Sequence, residues 1–379
     1  MRMKSIVAAA AAVLLGALVC AAPLRAEGET IKLGAVLPLT GGIAAFGMES
    51  KDGINLAVDE INAKGGVLGK KLEVLFEDDK GDPADTTNAV SKLINTDKVL
   101  AILGSVASSC TLAGAPVANS AKIPMITHNS TNDKVTGVGE YVFRTCFIDS
   151  FQGATSAYVA AKIIKAKTAA LVTDVNSDYS KGLGEAFTAK FKELGGTITG
   201  EVSYQQNDVN FSSQLTKLKG TPADVIFIPG YYTEVALILK QAKQLKIGSV
   251  FLGADGWDDP KLLELAADAA DGTYIVTHYS ADQKTPEVEK LVKAYQDKYK
   301  RGPAVTDALA YDMVYVVADA MKRAGKADSQ ALRDALAATK DLKGATGSVT
   351  MNKDRNADKN AIVLKVEGGK MKFVESVKP

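Results

Sequence analysis

The chain has almost no net charge, few histidines and cysteines, and no long apolar run outside its first residues. Lysine and arginine number 45 against 44 aspartates and glutamates, with no basic block or arginine stripe. Nucleic acid and anionic membrane therefore find no electrostatic footprint here. No Gly-x-Gly-x-x-Gly follows the first apolar strand and no P-loop is present, which argues against a nucleotide cofactor. A Gly-x-Ser-x-Gly elbow is also missing. With only His128 and His278 available, a hydrolase would have to bring His128 beside Ser109 or Cys110 by proximity alone. The acidic run Glu77-Asp78-Asp79 with Asp82 lacks the alternating ligands and glycine of a calcium loop. It reads instead as a strand end leading to Pro83 at a helix start. Neither a metal nor a cofactor is expected.

What is present begins with a leader. Arg2 and Lys4 precede an uncharged apolar run from Ile6 to Val19, and small residues follow, ending in Leu24-Arg25-Ala26. These are the three parts of a secretory signal, and the run is too short to span a bilayer. Cleavage after Ala26 gives a soluble periplasmic chain. Lipid anchoring through Cys20 is the competing reading, but Val19 stands where such signals carry Gly, Ala or Ser. Cleavage leaves Cys110 and Cys146, which can pair or stay as thiols. Two cysteines are no disulfide framework, so the fold must rest on its apolar cores.

The length predicts about two domains. Apolar β-rich runs at 31–37, 72–76, 99–103 and 123–126 alternate with helical spacing through Ile54, Val58, Ile61 and through Ala89, Leu93, Ile94. The alternation restarts with strands at 168–173, 197–203, 225–228 and 250–252. Between them lie helices bearing Leu183, Phe187, Phe191, Leu194 and Val235, Ile238, Leu239, Ala242, Leu245. Two βαβ series imply an α/β protein of two similar lobes, each a doubly wound parallel sheet. Helices over 286–299 and 305–323 and two strands near 361–366 and 371–374 complete the chain. Those helices can pack on the first lobe, which would carry the chain across more than once.

In open parallel sheets ligands sit beyond the strand carboxyl ends, near helix N-termini. The loops there are Gly104 to Thr111 and Thr127 to Asn132 in the first series. In the second they are Asp174 to Tyr179, Gly230-Tyr231-Tyr232 and Gly253-Ala254-Asp255-Gly256-Trp257. Each alone fits ordinary capping, turn or packing chemistry. Together they set hydroxyls and amides on one lobe against aromatics and an acid on the other, the two halves a zwitterion needs.

These residues carry a family resemblance. Gly34-Ala35-Val36-Leu37-Pro38-Leu39-Thr40-Gly41, Phe46-Gly47 and Ala57-Val58-Asp59-Glu60-Ile61-Asn62-Ala63-Lys64-Gly65-Gly66-Val67 resemble type I periplasmic solute-binding proteins of ABC importers. Phe143-Arg144-Thr145, Gln152-Gly153 and Tyr231-Tyr232 with Glu234 fit the branched-chain amino-acid-binding group. The resemblance implies two Rossmann-like lobes joined by a three-stranded hinge that crosses near Phe147, Thr277 and Val349. It assigns residues 27–147 with 278–348 to the N-terminal lobe, and 148–277 with 349–379 to the C-terminal lobe. It further implies that Ser108, Ser109, Asn129 and Thr131 hold a ligand carboxylate, while Phe46 lines the entrance. Tyr179, Tyr231 and Asp255 would contact the ligand from the second lobe, with Asp255 meeting its ammonium. The apolar pocket near Phe46, Tyr231 and Trp257 would favour an aliphatic or an aromatic side chain. Expected partners are a small amino acid and a membrane permease, with the protein itself a monomer. Two departures stand out. The family usually has Glu in place of Asp255, and Cys110 replaces a small hydroxyl residue.

Overall fold

The structure, a computed structural model, describes residues 30–379, so the leader and Cys20 lie outside the described residues. The first βαβ series folds as β1 (Ile31–Leu37), α1 (Ala44–Ala63), β2 (Leu72–Asp78), α2 (Pro83–Asn95), β3 (Ile102–Gly104), α3 (Ser108–Ser120), β4 (Met125–Thr127) and β5 (Val142–Arg144). Its sheet is wholly parallel, in the order β2-β1-β3-β4-β5. Both faces of β1 are covered, as its unbroken apolar run predicts. Leu33, Ala35 and Leu37 join the core under α1, whereas Val36 joins Val90, Leu93, Ala115 and Ala118 under α2 and α3. Strand β2 departs from the fully buried expectation, since all but Leu72 are partly exposed at the sheet edge. The acidic run behaves as a structural turn. Asp78 accepts bonds from Leu39, Thr40 and Lys80, and Asp82 caps α2 in front of Pro83.

The second series comprises α4 (Asp149–Tyr158), β6 (Thr168–Asp174), α5 (Asp178–Glu193), β7 (Thr197–Tyr204), α6 (Ser212–Gly220), β8 (Val225–Phe227), α7 (Tyr232–Gln244), β9 (Val250–Gly253), α8 (Pro260–Ala266) and β10 (Tyr274–Thr277). After α9 (Pro286–Tyr299), α10 (Val305–Ala324) and α11 (Ser329–Ala337), the chain returns to this sheet as β11 (Ala361–Val366) and β12 (Met371–Val377). The sheet order is β12-β11-β10-β9-β8-β6-β7, with β11 and β12 antiparallel and the remainder parallel. Phe187, Phe191 and Phe227 fill the face under α4 and α5, and Ile226, Ile228, Val235, Ile238 and Leu239 fill the face under α7.

Helices α9 and α10 pack on the first lobe, the home their position in the chain allows. A Cβ on Gly53 of α1 would lie 2.3 Å from the Asp307 carbonyl oxygen of α10, so glycine is what lets the helices approach so closely. Lys298 on α9 pairs with Asp59 on α1 at 2.7 Å. Beyond α11, the Arg144 N–H donates to the Arg355 carbonyl, and the Arg355 guanidinium donates to Val142 and Thr136 carbonyls. The chain thus stays bound to the first lobe past Val349 before it enters β11.

Candidate functional site

Strand ends of the two sheets face one another across a cleft, and two sets of hydrogen bonds hold its walls together. On one side Ser109, at the start of α3, donates to the Asp178 carboxylate and accepts from the Asp178 N–H, each at 2.9 Å. The Asn132 side-chain amide adds a bond to the Asp178 carbonyl at 2.7 Å. On the other side the Thr233 hydroxyl donates to the Gly42 carbonyl at 2.6 Å, and the Ala45 N–H donates to the Tyr232 hydroxyl at 3.2 Å. These contacts define a closed arrangement of the lobes.

Between them lies an aromatic wall. Tyr179 and Tyr231 stack with centroids 5.3 Å apart, and Phe46 from the first lobe meets Tyr231 and Tyr232 edge-on at 6.4 and 5.0 Å. Phe46 is wholly buried, so it lies inside the closed cleft. A Cβ on Gly256 would come within 2.5 Å of the Gly230 carbonyl oxygen and 3.1 Å of the Tyr179 hydroxyl, and its absence admits the tyrosine.

Asp255 follows β9 at the foot of this wall and is 3 % exposed. One carboxylate oxygen accepts from the Tyr179 hydroxyl at 2.8 Å and from the Gln152 amide at 2.9 Å. Its other oxygen lies 3.2 Å from His278 Nε2. Tyr179 accepts in turn from the Gly256 N–H at 3.1 Å, which orients its proton toward the acid. Burial, reinforced by the Asp255 charge, raises the Tyr179 pKa well above its ordinary value, so the phenol remains a donor. Burial also lowers the His278 pKa, so its contact with Asp255 is a hydrogen bond from a neutral ring. The His278 ring is further held by stacking on Phe147, with centroids 3.6 Å apart. Asp255 is therefore a buried carboxylate whose hydrogen-bond partners are a tyrosine, a glutamine and a histidine, none of them a cation.

The facing wall is polar. The Ser108 hydroxyl accepts from the Asn132 N–H at 3.2 Å, and the Asn129 N–H turns back to the Thr127 hydroxyl. The buried atoms Gln152 Oε1, His128 Nδ1 and His278 Nδ1 have no hydrogen-bond partner. An unpaired buried polar group costs about 1–3 kcal/mol. Their grouping around Asp255 and the 127–132 loop marks a surface built to meet polar atoms.

The structure thus gathers Phe46, Ser108, Asn129, Thr131, Tyr179, Tyr231 and Asp255 along the cleft. Ser109 is engaged by Asp178 in the interlobe contact. Trp257 stands apart, because its indole N–H donates to the Ile228 carbonyl at 2.8 Å and its ring is fully buried against Gly253. Gln152 and His278 were not anticipated as site residues. Gln152 belongs to the Gln152-Gly153 motif, but no local pattern links either residue to Asp255, over 100 positions away in the case of Gln152. His128 is hydrogen-bonded to Ser50, so the imagined nucleophile–base pairing with Ser109 or Cys110 is not formed. Cys110 and Cys146 are free, and burial pushes both thiols up to about 12, far from a reactive thiolate.

Residues 30–370 match a family model described as periplasmic binding protein. The Leu/Ile/Val-binding protein BraC3 of Rhizobium johnstonii is 32% identical over 348 residues, covering 91% of this chain and 94% of that protein. The crystal structure of a leucine-binding protein, LivK, from Thermotoga maritima has a TM-score of 0.89 at 39% identity, covering 92% of this chain and 99% of that one. LivJ of Streptococcus pneumoniae, a branched-chain amino-acid transporter substrate-binding protein solved with isoleucine, has a TM-score of 0.88 at 35% identity, covering 93% and 100%. The two lobes and their sheets are those of the type I periplasmic binding protein fold. Among the described residues, no helix is long and apolar enough to cross a membrane.

Proposed function

The chain belongs to the periplasmic binding protein family, and from that premise we propose that it captures an aliphatic α-amino acid between its lobes for an ABC-type membrane permease. The observation that carries this reading is Asp255, a buried carboxylate hydrogen-bonded only by neutral groups. Such a charge is costly without a counter-ion, and a ligand ammonium supplies one. Ser108, Asn129 and Thr131, with the N-terminus of α3, take the ligand carboxylate. Phe46 and Tyr231 pack on its side chain, and their apolar rings favour a branched aliphatic group. Asp255 is one methylene shorter than glutamate, and the Tyr179 and Gln152 donors fix it so that the ammonium must approach closely.

Binding is a shift between open and closed lobes, and ligand favours closure only through contacts made in the closed form. The Ser109–Asp178 and Thr233–Gly42 bonds belong to that form because their partners lie on different lobes. The closed protein acts as a periplasmic monomer that the permease recognises. Its relatives are binding proteins, and the cleft serves capture rather than catalysis.

A thermal-shift screen of the protein against L-amino acids and small carboxylates tests the reading. Leucine, isoleucine or valine should raise the melting temperature in a dose-dependent way. Stabilisation only by compounds without an amino group, or turnover of a bound compound, would contradict it.

A further inference from the structure

His128 is outside the ligand contacts assigned above, yet its hydrogen bonding gives it a defined chemical face. The ring follows β4 and reaches α1, where Nε2 lies 2.7 Å from Ser50 Oγ. Ser50 also donates to the Phe46 carbonyl at 2.7 Å, one helical turn back. A serine hydroxyl has a single proton. With that proton directed to Phe46, the Ser50–His128 contact requires His128 Nε2 to carry the hydrogen. Burial, with His278 as a lesser influence, lowers the His128 pKa to about 3, so the ring is neutral. A neutral imidazole protonated on Nε2 has a bare lone pair on Nδ1. That atom is fully buried and has no hydrogen-bond partner.

The surroundings indicate what it would accept. His128 directly precedes Asn129 in the polar loop, and Ser50 ties it one turn from Phe46 in the cleft. His278, which holds Asp255, is near enough that its charge would depress that of His128. An ammonium carries three N–H donors, and a short Asp255 already accepting from Tyr179 and Gln152 cannot receive them all. We infer that His128 Nδ1 accepts an N–H of the ligand ammonium, so that the first lobe, as well as Asp255, selects for an α-amino group. The inference rests on the amino-acid reading above. It extends that reading by placing ammonium recognition on both walls of the cleft, with Ser50 as the positioning residue that sets the tautomer.

Two substitutions separate the ring's functions. His128→Gln keeps a donor near the Nε2 position toward Ser50 and removes the Nδ1 acceptor, whereas His128→Asn keeps an acceptor near Nδ1 and gives up the Ser50 bond. Calorimetric titration of wild type and both variants with L-leucine and with its deaminated analogue, 4-methylpentanoate, reads the effect, after melting curves establish that each variant is folded. The expected result is a loss of about 10- to 100-fold in leucine affinity for His128→Gln, the range for a hydrogen bond to a charged group. Binding of 4-methylpentanoate should not weaken, and His128→Asn should lose less leucine affinity than His128→Gln. Long-range proton–nitrogen NMR should show the Nε2–H tautomer in the ligand-free protein and a displaced Nδ1 resonance with leucine. An Nδ1–H tautomer, or leucine affinity in folded His128→Gln within twofold of wild type, overturns the inference while leaving the amino-acid reading intact. Failure of any amino acid to bind the wild-type protein overturns that reading, and this inference with it.

Discussion

The two walls of the cleft solve different physical problems. On the second lobe Asp255 is held by Tyr179, Gln152 and His278, and the Tyr179–Tyr231 stack stiffens the surface beside it. On the first lobe Ser108 opens α3, Asn129, Thr131 and His128 sit on the loop after the short strand β4, and His128 Nδ1 has no hydrogen-bond partner. One wall is organised around a charge, and the other offers separate donors and acceptors. A carboxylate can be met by several backbone and hydroxyl donors at a helix start, whereas a single buried acid must be held in place to meet an ammonium. The lobes are alike in architecture, so the division of labour lies in their strand-end loops.

The largest effect should come from the organised wall. Asp255→Asn keeps the shape and removes the charge, and calorimetry should show leucine affinity falling by more than about 100-fold, since deleting one partner of a buried charge pair costs about 3–5 kcal/mol. An intermediate effect is expected from Tyr179→Phe, which removes one donor to Asp255 and the acceptor of the Gly256 N–H. Its affinity should fall by about tenfold, consistent with the net worth of one hydrogen bond to a charge. The contact between the walls should matter less. Ser109→Ala deletes both bonds to Asp178 but no proposed ligand contact, so stopped-flow release should quicken by about two- to tenfold, with association nearly unchanged.

A separate effect, on stability and not on affinity, concerns acidity beside the organised wall. Asp258, which accepts from the Thr277 hydroxyl at 2.6 Å, is raised by burial to about 7. A carboxyl whose folded pKa is raised binds its proton more tightly folded than unfolded. Below about pH 4 both states are protonated and nothing is lost. As pH rises from there to 7, the unfolded chain ionises first and stability declines, levelling above 7. Melting curves should show that decline reduced in Asp258→Asn by a few degrees relative to wild type, and parallel curves would place the proton elsewhere.

How much of this was legible in the sequence depended on locality. The strands of the two sheet centres were readable because they are short apolar runs buried on both faces, and α9 begins at Pro286 behind the Thr285 cap. Strand β5 escaped pattern reading because it ends in Arg144, whose buried guanidinium is masked by donating to the Ser130 and Asn132 carbonyls. Tyr179, Tyr231 and Asp255 could be named because each follows a strand. Gln152 and His278 join them only through the chain's crossings between lobes, which no local period encodes. Trp257 was misleading for the opposite reason. It neighbours Asp255 in sequence, but the turn after β9 sends its ring into the core.

The central claim is that the cleft is matched to a zwitterion, and equilibrium titration of the wild-type protein with L-leucine and 4-methylpentanoate under identical conditions tests it most directly. The two ligands share a carboxylate and an aliphatic chain and differ only in the amino group. Asp255 predicts that leucine binds at least about 100-fold more tightly. Equal affinity, or preference for the deaminated acid, would contradict the account.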